Sequence, residues 1–283
     1  MGVFAVTTNI APAAEPPAPE ARITASDSTV PFGREIALAG SVPGSPSAPV
    51  DLEFRAAGTG EWKPLRSLST DGTASYRATV VARRSGAYQA VPATGAASPP
   101  AKVRVRARAS LHVADPNPLV GAPVRLRGRA KPGGRRTVRI KAGGRTVARG
   151  QTAPDGSFRV RWKPSSTGAL RLRAVVGRNR LAHPGHSAPR RVTAFRRAAA
   201  SWYGPGLYGG ALACGGTLTP GTLGVANKTL PCGTKLTLRY RGRSVRVAVV
   251  DRGPYSGSRE FDLTAATKQR LGFPDTGYVL TSK

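Results

Sequence analysis

Histidine, cysteine, aromatic residues and acids are all scarce in this chain of 283 residues, and each shortage removes a class of function. The histidines are His112, His183 and His186, so a histidine proton relay is excluded from the C-terminal third. His183 and His186 stand in "LAHPGHSAP", where the intervening Pro184 and Gly185 point to a loop; with no further ligand nearby, no metal site is expected there. The two cysteines, Cys214 and Cys232, lack the CxxC-type spacing of a metal or redox pair. No apolar run is long enough to span a bilayer.

Aromatic residues make up 6% of the chain. The most basic stretch holds only Phe158, Trp162 and Phe195, too few to serve as stacking platforms interleaved with cations, so nucleic acid is not the expected partner.

Acids number 14 against 44 lysines and arginines, a net charge of +30. The imbalance is local: residues 1–101 are neutral overall, residues 102–197 carry +23 and residues 198–283 carry +7. Arginine outnumbers lysine 35 to 9 in a chain rich in Ala, Gly and Pro, which fits codon bias in a GC-rich genome as well as selection for guanidinium groups. A block at +23 exceeds what solubility requires and is drawn to polyanions by attraction that salt weakens. An electrostatic anchor and a solvated strand face are the two readings.

The organisation is repetitive. From Ala21 to about Arg106, short alternating segments ("EIALAGSV", "VDLEFRA", "ASYRATVV", "AYQAVPA", "KVRVRAR") are separated by turn signals, and "PVRLRGRA", "RTVRIKAGG", "SFRVRWKP", "ALRLRAVV" and "RRVTAF" repeat the plan. Landmarks correspond: Gly33 with Gly121, Gly40 with Gly128, Asp71-Gly72 with Asp155-Gly156, Gly86 with Gly168. This describes a tandem duplication of two immunoglobulin-like β-sandwiches, residues 21–106 and 107–197. In "VRVRAR" and "VRLRGRA" the apolar residues face inward and the arginines outward. Residues 1–20, "MGVFAVTTNIAPAAEPPAPE", combine an apolar start with a Pro/Ala-rich stretch and read as the remnant of a secretion signal or a linker.

The last block, residues 198–283, contains "ASWYG", "KTLPCGT", "DRGPY" and "FDLTAATKQRLG". Together these segments resemble the rare lipoprotein A (RlpA)-like family, whose barrel is related to that of expansins. The resemblance covers less than a third of the chain and implies a six-stranded double-psi β-barrel with an open groove that meets peptidoglycan or other wall glycans. The residues agree: "KLTLRY" and "SVRVAVV" alternate as strands around an "RGR" turn, and Thr264 to Leu271 is helical in composition with Gly272 placed to end it. The expected fold is therefore all-β, two sandwiches followed by the barrel.

Glycosidic chemistry needs a proton donor and, in glycosidases generally, a second carboxylate. The resemblance assigns the acidic position of lytic members to Asp251 in "DRGP", so Asp251 is the expected acid if the barrel cleaves, and Asp251 with Asp262 matches the acidic pair of expansin-like barrels. Asp251 could equally stabilise the turn after its strand or pair with Arg252, and Asp262 could accept N–H bonds near the helix start. Trp202, Tyr203, Tyr208 and Tyr255 are candidates to stack on sugars, although aromatics beside Gly and Pro also close small barrels. Two positions depart from the lytic pattern: Gly216 stands where those members carry Glu, and Asn227 where they carry His. Asn227 can hydrogen-bond a sugar but cannot exchange a proton near neutral pH.

A Cys214–Cys232 disulfide would stabilise the barrel by ~3 kcal/mol and imply an oxidising compartment; two buried thiols are the alternative. The expectation is a secreted, monomeric wall protein without metal or organic cofactor. Its barrel would bind and remodel peptidoglycan, with lytic-transglycosylase cleavage or non-catalytic, expansin-like loosening as the alternatives, and residues 102–197 would contact anionic wall polymers.

Overall fold

The computed structural model describes residues 20–93 and 95–283, so the expected signal remnant or linker lies, except for Glu20, outside the described residues. The chain forms two compact units, residues 20–106 with 180–183, and residues 107–179 with 184–283. Among the described residues the only α-helix is one of seven residues, and no helix is long and apolar enough to cross a membrane.

The first unit is a β-sandwich. One sheet has the order Arg22–Ala25, Arg34–Ser41, Ser75–Ala82. The other runs Lys63–Ser69, Pro49–Ala56, Gly86–Pro92, Ala101–Ala109, with Thr29–Pro31 added parallel to the last strand. Alternation explains the layers: Val103, Val105 and Ala107 are buried while Arg104, Arg106 and Arg108 are exposed, and Ile36, Leu38, Leu52 and Ala90 fill the space between sheets.

The second sandwich repeats the topology strand for strand. His112–Val113, Val124–Lys131 and Ser157–Trp162 make one sheet. Arg145–Gln151, Thr137–Ala142, Gly168–Val176 and Arg190–Ala194 make the other, and a parallel Leu119–Phe195 bridge stands where the first sandwich has its added strand. The shared landmarks have shared causes. Gly40 lies opposite Tyr76, and a Cβ on it would meet the Arg22 carbonyl at 1.9 Å and the Tyr76 hydroxyl at 2.3 Å. Gly128 lies opposite Phe158, and its Cβ would meet the Ser110 carbonyl at 2.1 Å and the Phe158 ring at 2.4 Å. In both domains the glycine makes room for an aromatic ring laid across the strand. The Asp-Gly turns match as well: Asp71 accepts from the backbone N–H groups of Thr73 and Ser75, and Asp155 from that of Ser157.

One expectation is corrected. His183–His186 is a short strand rather than a loop, with His186 opposite Val175 and Gly185 opposite Val176. Gly185 lies so close to Ala107 that a Cβ would come within 1.6 Å of the Ala107 carbonyl oxygen, and this close approach of two backbones permits the pairing.

The barrel strands are β1 (Arg196–Tyr203), β2 (Gly224–Asn227), β3 (Lys235–Tyr240), β4 (Arg243–Asp251), β5 (Phe261–Thr264) and β6 (Gly277–Thr281), with helix α1 (Ala265–Leu271) between β5 and β6. They close in the order β1-β5-β2-β4-β3-β6, with β1/β5 and β2/β4 parallel and the other pairs antiparallel. Ala198, Ala200, Val225, Leu236, Leu238, Val245, Val247, Val249, Phe261 and Leu263 form the core, which Leu271 of α1 helps to cover. The β3–β4 hairpin turns at Arg241 and Gly242, both at positive φ (44° and 85°), the conformation whose twist suits a two-residue hairpin. Thr264 caps α1 by accepting from the Thr267 N–H, and left-handed Gly272 ends it.

The crowding at Gly128 generates a prediction. Gly128→Ala should destabilise the second sandwich by about 1–3 kcal/mol through overpacking, read as a lower urea midpoint, whereas Gly144→Ala, with no atom within 4 Å of its Cβ, should cost only the strain of its positive φ.

Candidate functional site

Asp251 is the last residue of β4, whose Val245, Val247 and Val249 point into the core. Strict alternation would send Asp251 inward too. It is prevented by a shift in register: Val225 of β2 pairs with Val249, but the next residue, Ala226, pairs with Asp251. The extra residue, Val250, makes a β-bulge that moves Asp251 from the core face to the outer face. Val250 packs over Gly224, where a Cβ would come within 2.3 Å of its side chain.

On the other side of β2, Ala226 pairs with Asp262 of β5, whose neighbours Phe261 and Leu263 are buried in the core. Asp251 and Asp262 thus flank one residue on two adjacent strands, which sets their Cα atoms roughly 10 Å apart. Both are half-buried. Asp262 accepts a 2.7 Å hydrogen bond from the Ser201 hydroxyl. Burial raises its pKa above the ordinary carboxylate value, the Asp251 charge adds to the rise, and the Ser201 bond and the Arg259 charge oppose it. Asp251 Oδ1 accepts from the backbone N–H groups of Ala213 and Arg252, each at 2.9 Å.

Tyr203 lies on the same face of β1 as Ser201. Its phenol pKa is raised, first by burial, then by the charge and proximity of Asp251 and, less, by Asp262. The contact with Asp251 falls short of a well-formed hydrogen bond, so the buried Tyr203 hydroxyl has no satisfied partner among the described residues. It is a donor beside two acids.

Two loops frame this arrangement, joined by the Cys214–Cys232 disulfide with Cα atoms 5.4 Å apart. The first loop gives Asp251 its Ala213 N–H and bonds Cys214 N–H to the Val250 carbonyl. The second bonds Gly233 N–H to the Val249 carbonyl. Arg252 does not pair with Asp251: its guanidinium donates to the carbonyls of Asn227 and Leu230 and to Cys232 Sγ. The backbone N–H of Arg252 still steadies the turn, so only that part of the turn reading applies.

The other expected residues separate. Asn227 is 2% exposed; its amide donates to the Glu260 carbonyl and accepts from Thr229 and Leu230 N–H. It organises the second loop, and the expected sugar contact from its side chain is corrected on that ground. Trp202 points to the opposite side of β1 from Ser201 and Tyr203, packs on the core, donates to Asp275 at 2.8 Å and carries Lys268 Nζ 3.7 Å over its ring. Its expected stacking role conflicts with that cover. Tyr208 and Tyr255 are exposed, Tyr255 at 80%. Gly216 has φ +81°, with open space around a Cβ; a glutamate there would be strained by its backbone and not by crowding. Asp262 is not a helix cap, since Thr264 holds that position.

Sequence reasoning missed Ser201 and Arg259. Ser201 was legible as the residue alternating with core-facing Ala200 in "AASWY", but its partner lies 61 residues on. Arg259 is set beside Asp262 by the loop after β4, which carries no periodic signal.

With this geometry in view, the comparisons with known proteins are specific. Residues 196–281 match the family model described as lytic transglycolase, and the C-terminal domain is an RlpA-like double-psi β-barrel. The probable endolytic peptidoglycan transglycosylase RlpA of Synechocystis is 38% identical over 122 residues, covering 38% of this chain and 38% of that one. The endolytic peptidoglycan transglycosylase RlpA of Pseudomonas aeruginosa is 41% identical over 80 residues, 28% of this chain and 24% of that one. The Aquifex aeolicus relative, also a probable endolytic peptidoglycan transglycosylase, is 34% identical over 106 residues, 37% of this chain and 47% of that one. The chain spans less than half the length of these relatives.

Two predictions follow from the geometry of the acids and the loops. A carboxyl whose folded pKa is raised favours folding while it is protonated, and that contribution is lost as pH rises through the folded pKa. Asp262→Asn should therefore raise the melting temperature at neutral pH, with the gain shrinking to nothing as pH falls to the ordinary carboxylate pKa; calorimetry from acid to neutral pH checks this. Removing the disulfide by Cys214→Ala with Cys232→Ala should cost up to ~3 kcal/mol, measured by chemical denaturation under oxidising conditions.

Proposed function

We propose that this is an exported cell-wall protein whose barrel binds peptidoglycan glycan strands on the face carrying Asp251, Asp262 and Tyr203, and cleaves them in the manner of a lytic transglycosylase. The observation that carries the reading is the bulge at Val250, which turns Asp251 outward into register with Asp262 across Ala226. A strand has no packing reason to aim a carboxylate so and fix it with two N–H donors.

Lytic transglycosylation breaks the glycosidic bond as its oxygen takes a proton from an acid, and closes an anhydro ring as a hydroxyl of the same sugar attacks the anomeric carbon and gives its proton to a base. Asp262, disposed by burial to hold a proton, and Asp251, oriented by backbone, supply one carboxyl for each task. The Tyr203 hydroxyl is buried beside the two acids, and exposed Tyr255 offers a face on which a sugar ring can stack. The disulfide suits an oxidising compartment, and the second sandwich supplies an electrostatic anchor on acidic wall polymers.

A second reading, non-catalytic binding or loosening, is favoured by Gly216 and by the buried Asn227 amide, which leave the face without the further ionisable groups of lytic relatives. Mass spectrometry of soluble products after incubating the full chain with intact and peptide-stripped peptidoglycan separates the two. Anhydro-muropeptides or anhydro-glycans are expected from the wild type and should fall about 10²-fold in Asp251→Asn, with pelleting on sacculi retained. Pelleting without products would leave the binding reading.

A further inference from the structure

We propose that a cleft between the second sandwich and the barrel, which does not include the acidic pair, is a binding site for the oxyanion groups of a flexible acidic polymer. The proposal sharpens the anchoring part of the proposed function and rests on that part alone; it holds whether or not the barrel cleaves glycan.

The cleft has a volume of about 500 Å³. One wall is formed by strands Gly168–Val176 and Arg190–Ala194 and presents Arg171, Arg191 and Thr193; the other is formed by β3 and β4 and presents Lys235, Thr237 and Arg246. Four cations and no acid line it. The walls belong to one compact unit, and Gly168 at the foot of the sandwich wall comes within about 4.0 Å, measured from a built Cβ, of the Ser282 carbonyl that follows β6.

The register brings like charges together on both walls. Arg171 and Arg191 are directly opposed across their strands, a like-charge pairing that is unfavourable in a sheet. Across the cleft, Thr237 opposes Arg246, and Lys235 lies diagonal to Arg246 on the same face. Among the described residues none of these four cations has an ion pair, although other cations in this unit do: Arg129 with Asp155, Arg196 with Glu260, Lys268 with Asp275.

Their chemistry selects the ligand. Guanidinium forks match phosphate and carboxylate oxygens bidentately, and the threonine hydroxyls add neutral donors. No aromatic residue lines the cleft, which removes the stacking platform a single-stranded nucleic acid would use. The fit is to repeated oxyanions on a non-aromatic backbone, phosphodiester or uronate.

The test uses the full chain and two fluorescently labelled polymers, poly(glycerol phosphate) and polyglucuronate, read by anisotropy at several salt concentrations. Arg171→Gln with Arg191→Gln is compared with Arg145→Gln with Arg149→Gln, which removes the same charge from the exposed strand Arg145–Gln151 of the same sandwich. The cleft pair should weaken binding by about tenfold and flatten the salt dependence, and the control should change it by less than about twofold. A preference between the two polymers identifies the oxyanion. Lys235→Gln with Arg246→Gln, on the barrel wall, should reproduce the loss, and relief of the Arg171–Arg191 repulsion should leave the melting temperature of the first variant unlowered. Equal losses in cleft and control variants would overturn the site while sparing the anchor reading; no binding by the wild type would overturn both, and neither outcome bears on glycan cleavage.

Discussion

The placement of the two acids depends on one backbone irregularity. Without the extra residue at Val250, β4 would continue its alternation and bury Asp251 beside Val249, where an unpaired carboxylate is strongly disfavoured. With it, the chain keeps three inward valines for the core and still delivers the acid to the surface one residue later. The bulge in turn depends on Gly224, because any side chain there would collide with Val250. Packing and chemistry are therefore specified by the same three residues, Gly224, Val250 and Asp251.

The surrounding loops convert that placement into a fixed geometry. Each contributes backbone bonds to the end of β4, and the disulfide ties them to each other. Arg252 completes the frame by satisfying two carbonyls of the second loop, which is why its charge is turned away from the neighbouring carboxylate. Asp262 is held less rigidly, by one hydroxyl, and its electrostatics come from burial. Two acids in register thus sit in unlike environments, Asp251 held by two backbone N–H groups and Asp262 by one hydroxyl in a setting whose burial raises its pKa.

Much of this was legible in the sequence because it is periodic or local. Alternation gave the strand faces, with Val103 and Val105 in and Arg104 and Arg106 out, and the duplicated glycines marked positions where a ring crosses a strand. The helix was bounded by Thr264 and Gly272 for reasons of local conformation alone. What escaped is non-local. A register shift leaves no trace in the composition of β4; it exists only between β4 and β2. The inward turn of Asn227 depends on a carbonyl 33 residues away, and the cover over Trp202 on Lys268 and Asp275. His183–His186 became a strand because Ala107 offers a backbone edge close enough to pair, which no reading of Pro and Gly within that segment could supply.

The charge distribution gains a meaning from β4 that composition alone did not give it. Arg246 and Asp251 both lie on the outer face of this strand, the first by simple alternation and the second through the bulge. Five residues of extended chain separate them, roughly 17 Å. A polymer held at Arg246 by its oxyanions is therefore near, yet outside contact with, the acid pair. The separation matters, because a cation in contact with Asp262 would oppose the protonation that burial favours. Arg259 is the cation that acts on Asp262 among the described residues, and its effect is smaller than that of burial. A strongly basic chain can in this way attract an acidic surface through one region and keep a protonatable carboxyl in another, provided the attracting cations stay out of contact with that carboxyl.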